Sequence, residues 1–124
     1  MKRAVCFFYQ REDGMILAVS RKTDRTQFGL PGGKVDPGES DAEAIVREVR
    51  EETGLEMTDP VVLFVNECEG TTVYHTKTYF AGSIKGSLHT DEPLDIAWVS
   101  PQVLLDGPFG NYNRKLFDSL GVAA

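Results

Sequence analysis

GKVDPGESDAEAIVREVREETGL, residues Gly33 to Leu55, decides how the rest of the chain is read. Ser40-Asp41-Ala42-Glu43 has the form of a capping box, with Ser40 as N-cap and Glu43 three residues on. Gly54 stands where a C′ glycine ends a helix. Between these limits Ala42, Ile45 and Val49 form an apolar stripe for packing on a sheet. Glu48, Glu51 and Glu52 fall at i, i+3 and i+4, a second stripe a quarter-turn or more from the first. Like charges at that spacing repel, at ~0.2–0.5 kcal/mol per neighbouring pair in an isolated helix. The compensation this pattern points to is bound divalent cations, because hard ions such as Mg²⁺ prefer carboxylate oxygens. Arg47, four residues before Glu51, is spaced to pair with it or to orient a neighbouring carboxylate.

Upstream, Phe28-Gly-Leu-Pro-Gly-Gly33 is a glycine-rich loop whose backbone allows close approach, either to metal or phosphate or simply as a tight turn. Arg21 to Gln27 (RKTDRTQ) is polar and carries three cations, placed where an anionic substrate needs them beside a metal site. Ala4–Tyr9 (AVCFFY) and Met15–Ser20 (MILAVS) have the composition of buried strands. The Asp13-Gly14 turn between them predicts an N-terminal hairpin.

Downstream, strands are expected at 60–66, 71–81 and 95–100, with a turn at 67–70 and a turn-rich loop over 82–93. Residues 101–106 read as one helical turn and Asn111–Leu120 as a terminal helix closed by Gly121, with Asn111 its natural N-cap. Strands before and after a central helix suggest an α/β fold with a mixed sheet between helices.

At 124 residues the chain is expected to form a single domain, 1–124, with one hydrophobic core. A net charge of −6 argues against a nucleic-acid polymer as partner, yet leaves room for single nucleotides held with metal in one cleft. Cys6 and Cys68 lie in no metal-binding or redox motif and read as small buried hydrophobes of a reducing compartment. No apolar run is long enough to span a membrane, and the short one after Lys2-Arg3 lacks a cleavage site, so a cytoplasmic location is expected.

Gly33, five residues, Glu39, seven residues, Arg47-Glu48-Val49, one residue, Glu51-Glu52, one residue, Gly54-Leu55 resembles the Nudix box at every defined position. The box covers under a fifth of the chain, but length and element order are also similar to a minimal Nudix domain. The resemblance implies an α/β/α sandwich that hydrolyses a nucleoside diphosphate linked to another moiety, with Mg²⁺ or Mn²⁺. Glu48, Glu51, Glu52 and the backbone carbonyl of Gly32 match the family's metal ligands. Arg47 matches the residue that orients a catalytic glutamate, and Glu39 one that positions the helix. The implied chemistry is attack by water on a phosphorus of the diphosphate bridge, with the cations lowering that water's pKa and neutralising developing charge. Glu48 is one candidate base. Glu92, six residues before Trp98 as in the MutT-like branch, is its rival and an additional candidate ligand.

The nucleotide is set outside the box. The MutT-like branch reads a purine edge with an asparagine near the start of its last helix; Asn113, fifteen residues after Trp98, matches, with Asn111 the near alternative. Arg21 is a candidate for phosphate or base, and Phe28 and Phe109 for stacking. Tyr74 falls near a tyrosine of the dinucleoside polyphosphate branch, and strand parity lets at most one of Tyr74 and Tyr79 face a cleft. Gly70 stands where the ADP-ribose branch usually has proline, and the NADH-type and coenzyme A-type arrays are absent. The leading expectation is a MutT-like (d)NTP pyrophosphohydrolase releasing NMP and pyrophosphate, with oxidised purine nucleotides such as 8-oxo-dGTP among its candidates. The alternatives are a dinucleoside polyphosphate, ADP-ribose or nucleotide-sugar hydrolase and, from another class, a non-catalytic binding module, which would be expected to have lost box glutamates. Monomer and homodimer both remain open.

Overall fold

The computed structural model describes residues 2–69 and 72–123. Chain reversal after the first strand occurs where Asp13-Gly14 predicts it: the Arg11 N–H donates to the Met15 carbonyl at 2.8 Å and the Gly14 N–H to the Arg11 carbonyl at 3.0 Å. The hairpin itself does not form. Strand β1 (Arg3–Phe7) and strand β2 (Ile16–Ser20) meet only through an isolated bridge, Gln10 to Ile16, and then diverge into different sheets. The reason lies in β2, every residue of which is buried. Leu17 enters one core with Val5, Phe7, Ile45 and Val49, while Ile16 and Ala18 enter a second with Leu104, Leu116 and Phe117. A strand covered on both faces must lie between layers, and β1 is already paired on both sides, with residues 32–34 and 75–79, so no edge of β1 is left for it.

The larger sheet is mixed, in the order β4-β1-β6-β5, with β4 spanning Gly32–Lys34, β5 Glu56–Cys68 and β6 Tyr74–Lys85. β1 runs parallel to β6 and antiparallel to β4. The second sheet, β3-β2-β7, is antiparallel, with β3 at Phe28–Gly29 and β7 at Ile96–Val99. β5 starts earlier than expected and β6 runs on through 82–85, where a loop was predicted. Glu56, Met57 and Thr58 pair with Lys85, Ile84 and Ser83, and burial of Met57 rewards that extension. Pro60 is tolerated because β5 is an edge strand. Gly70 and Thr71, in the expected turn and strand start, lie outside the described residues.

Helix α1 (Asp41–Thr53) packs against the larger sheet, and α2 (Pro101–Leu105) with α3 (Gly110–Leu120) forms the other outer layer, giving an α/β/α sandwich. Ser40 and Glu43 make both bonds of the capping box. The buried face of α1 is Ala44, Ile45, Val49 and Thr53; Ala42, in the first turn, is only half-buried. α3 starts a residue earlier than expected, with Phe109 as its N-cap and no side-chain cap, so Asn111 is inside its first turn.

Candidate active site

The face of α1 that carries the three glutamates is not uniform. Glu48 and Glu52 flank the buried Ile45, Val49 and Thr53 and are half-buried with them, whereas the Glu51 side chain is 41% exposed. Glu52 Oε1 accepts the Gly32 N–H at 2.7 Å. The Glu48 carboxylate lies against Gly33: a Cβ there would come within 2.6 Å of Glu48 Oε1, so the box glycine provides clearance for a carboxylate. Burial pushes the Glu52 pKa up to about 8, with the charges of Glu48 and Glu92 adding to it and the Gly32 N–H and Lys22 opposing it. Burial also raises Glu48, against the pull of Arg47.

Arg47 is the hub of this face. Its Nε and Nη2 donate to the two oxygens of Glu39 at 2.7 and 2.9 Å, a bidentate pair. Its Nη1 donates to Glu48 at 3.0 Å and reaches Glu51 at 3.4 Å, and its Nη2 reaches the Lys34 carbonyl at 3.3 Å. Arg47 pulls the Glu39 carboxyl down to about 2, and Glu39 in turn accepts the Asp36 N–H at 3.0 Å. The result ties the loop at 34–39 to the middle of α1 through one guanidinium.

Glu92 belongs to the loop between β6 and β7 and is brought to this face, where its charge acts on Glu52 and its Oε2 pairs with Lys22 Nζ at 3.1 Å. The 21–27 loop thus meets the carboxylates through Lys22, whose charge also responds to Glu48 and Glu52. Arg21 is exposed and acts on Asp24. Adjacent loop residues point different ways, and nothing in RKTDRTQ distinguishes which cation turns inward.

Glu48, Glu51, Glu52 and Glu92 offer only carboxylate oxygens, two of them half-buried and held up in pKa by desolvation, which suits a hard cation such as Mg²⁺ or Mn²⁺. Among the described residues no three His, Cys, Asp or Glu side chains are grouped to hold an ion as they stand; Arg47 engages an oxygen of Glu48 and the Gly32 N–H one of Glu52. Gly32 meets the carboxylates through that N–H.

Gly32 and Gly33 also wall a cleft of about 260 Å³ that runs between β1, the start of β6 and the N-terminal turn of α3. Tyr74 lines it, with Lys34 Nζ 5.8 Å from the ring centroid, and Phe109 lines it from the other side, 44% exposed. Asn113 forms its inner wall, 2% exposed, its Nδ2 donating to the Leu104 carbonyl at 3.2 Å. Tyr112 and Cys6 are joined through Thr78, at 2.7 Å to the phenol and 3.1 Å to the thiol. Burial pushes the Cys6 thiol up to about 12, so it stays neutral. Asn111 is exposed and lines a second, neighbouring cavity of about 490 Å³. Phe28 packs into the second core instead of the cleft, and Tyr79 is buried in the first. Lys22, Lys34 and Tyr112 were not singled out by the sequence. Only Tyr112 left a signal: with Asn113, Leu116 and Phe117 it makes an i, i+1, i+4, i+5 buried face that includes an asparagine.

The NUDIX domain model matches residues 1–120. The chain is 37% identical over 112 residues to the CTP pyrophosphohydrolase of Escherichia coli (strain K12), covering 86% of this chain and 82% of that one. It is 32% identical over 117 residues to the Homo sapiens 8-oxo-dGDP phosphatase NUDT18, covering 87% of this chain and 36% of that longer protein. The crystal structure of a MutT protein from Methanosarcina mazei Go1 superposes with a TM-score of 0.77 at 29% identity, over 97% of this chain and 92% of that one.

Proposed function

Because the chain belongs to the Nudix hydrolase family, and is thereby a hydrolase of phosphoanhydride bonds, we propose that it is a MutT-like nucleoside triphosphate pyrophosphohydrolase releasing NMP and pyrophosphate. The observation that carries this reading is the shared wall: Gly32 and Gly33 border both the Glu48/Glu52 face and the cleft that Asn113 closes. A nucleotide seated with its base against Asn113 lays its phosphates over the glutamates. Relatives named for CTP and 8-oxo-dGDP support a nucleotide substrate.

In this reading Glu48, Glu51, Glu52 and the Gly32 carbonyl hold Mg²⁺ or Mn²⁺, with Glu92 adding a carboxylate. When bound, the cations polarise the diphosphate oxygens and neutralise charge that develops at phosphorus. Glu48, raised in pKa by burial and held by Arg47, takes the proton of the attacking water. Lys22, facing the same group of carboxylates, offsets phosphate charge in the role first expected of Arg21. Asn113 keeps one amide N–H on Leu104 and offers Oδ1 and the second N–H to a base edge. Tyr74 and Phe109 supply the aromatic walls.

The test is turnover with Mg²⁺ over CTP, dCTP, dGTP, 8-oxo-dGTP, 8-oxo-dGDP, diadenosine polyphosphates and ADP-ribose, with product analysis. Turnover of a triphosphate to NMP and pyrophosphate, abolished by EDTA, is the expected result. Turnover of ADP-ribose or a dinucleoside polyphosphate with every triphosphate left intact would overturn the proposal.

A further inference from the structure

The loop that carries Glu92 is tied to the end of the glutamate-bearing helix by a side chain that belongs to neither the box nor the cleft. Thr90 Oγ1 donates to the Glu51 carbonyl at 2.8 Å and accepts the Glu92 N–H at 3.0 Å. One residue earlier, the His89 N–H donates to the Thr53 carbonyl at 2.9 Å. The last carbonyls of a helix have no partner within it. Here two of them are taken by this loop. Gly54 makes that approach possible: it is left-handed at φ 77°, and a Cβ on it would stand 2.5 Å from the His89 carbonyl oxygen.

His89 and Thr90 make different contributions. The His89 bond anchors the loop through backbone alone, whatever the side chain. The Thr90 hydroxyl is a relay between the backbone of Glu51 and the backbone of Glu92, the two carboxylates presented from different elements. The side chain of Glu92 is 32% exposed and, among the described residues, pairs with Lys22, itself half in solvent, so the backbone bond is the firmer constraint on where the carboxylate starts. We infer that Thr90 is a positioning residue that fixes Glu92 against the carboxylates of α1 through its hydroxyl; this rests on Glu92 serving the cation as proposed above.

The test measures Mn²⁺ binding to the full chain by electron paramagnetic resonance, without nucleotide, in T90V, T90S, E92Q and the T90V/E92Q double variant. Valine keeps the shape of threonine and removes the relay; water can satisfy the partly exposed Glu51 carbonyl, and the His89 bond remains, so folding is retained and is checked by circular dichroism. T90V is expected to weaken Mn²⁺ about 10-fold, in the range found when an orienting partner of a metal ligand is lost. T90S is expected to restore it, because serine keeps the hydroxyl. The double variant should be no worse than E92Q, because Thr90 acts through Glu92. Faster amide exchange at Glu92 in T90V should accompany the loss. Mn²⁺ affinity unchanged in T90V while E92Q is impaired overturns the role of Thr90 and leaves Glu92 in place. Affinity unchanged in E92Q overturns the assignment of Glu92 and this inference with it. Failure of T90S to restore binding, or a double variant weaker than E92Q by the full T90V factor, also overturns it.

Discussion

Replacing Glu52 by glutamine separates what this side chain does for stability from what it does for the cation. The Glu52 carboxyl is ordinarily near 4.5 and is pushed up to about 8 by burial. Between those values the folded chain holds a proton that the unfolded chain has released, so stability falls as pH rises through that window and is flat outside it. Integrated from about pH 6 to about pH 9, this one group removes roughly 3 kcal/mol from the metal-free protein. For a chain of this size that is about 10 °C in Tm. Glutamine is neutral at both pH values, and its Oε1 can still accept the Gly32 N–H that Glu52 takes at 2.7 Å. Metal-free E52Q should therefore lose about 10 °C less than the native chain on going from about pH 6 to about pH 9, while other titrating groups affect both alike. Saturating Mg²⁺ should restore the native chain at high pH, where the ionised carboxylate is available, and do little for E52Q. Thermal melts of both proteins by circular dichroism, with EDTA and with Mg²⁺, decide it. Parallel Tm-versus-pH curves in EDTA would mean that Glu52 holds no proton in the folded chain through this window, and equal Mg²⁺ stabilisation of the two would mean that its carboxylate does not serve the cation.

Gly33→Ala adds a Cβ within 2.6 Å of Glu48 Oε1; kcat is expected to fall on the order of 100-fold with the fold intact, and a loss of less than threefold would mean that Glu48 is free to relocate. Asn113→Ala removes the bond to Leu104 from a buried position; about 1–3 kcal/mol of stability should go with it, and KM should rise with kcat held. An unchanged KM would remove Asn113 from base recognition. Glu39, drawn down to about 2 by Arg47, contributes stability that is present above its ordinary 4.5 and lost as pH falls toward 2. E39Q should accordingly show a flatter acid limb in a denaturation series, and an acid limb as steep as the native one would argue against the Arg47 clamp. Arg47→Lys keeps the charge but loses the bidentate geometry with Glu39 and the bond to Glu48; kcat should drop at least about tenfold, with partial stability loss.

Helix α1 and the spacing of its glutamates were legible in the residues alone, because every signal there is local. A capping box, a left-handed stop at Gly54 and a 3.6-residue repeat are read over a dozen positions, and the glutamate spacing follows from the same helix. The Nudix family was legible for the same reason: its signature is one contiguous segment. The rest of the fold depends on residues far apart in the chain. The N-terminal hairpin opened because β2 is buried on both faces by elements that come later, a demand no turn signal expresses. The loop expected at 82–85 became strand because its partner, 56–58, lies across a long hairpin. That Lys22 pairs with Glu92 while Arg21 stays exposed, that Phe28 lies in a core and that Asn113 lies behind a cleft were likewise decided by packing. The three glutamates share one stripe in sequence, yet burial divides them into two half-buried carboxylates of raised pKa and one exposed carboxylate. The depth of each in the sandwich sets its desolvation, and that depth is a property of the assembled layers.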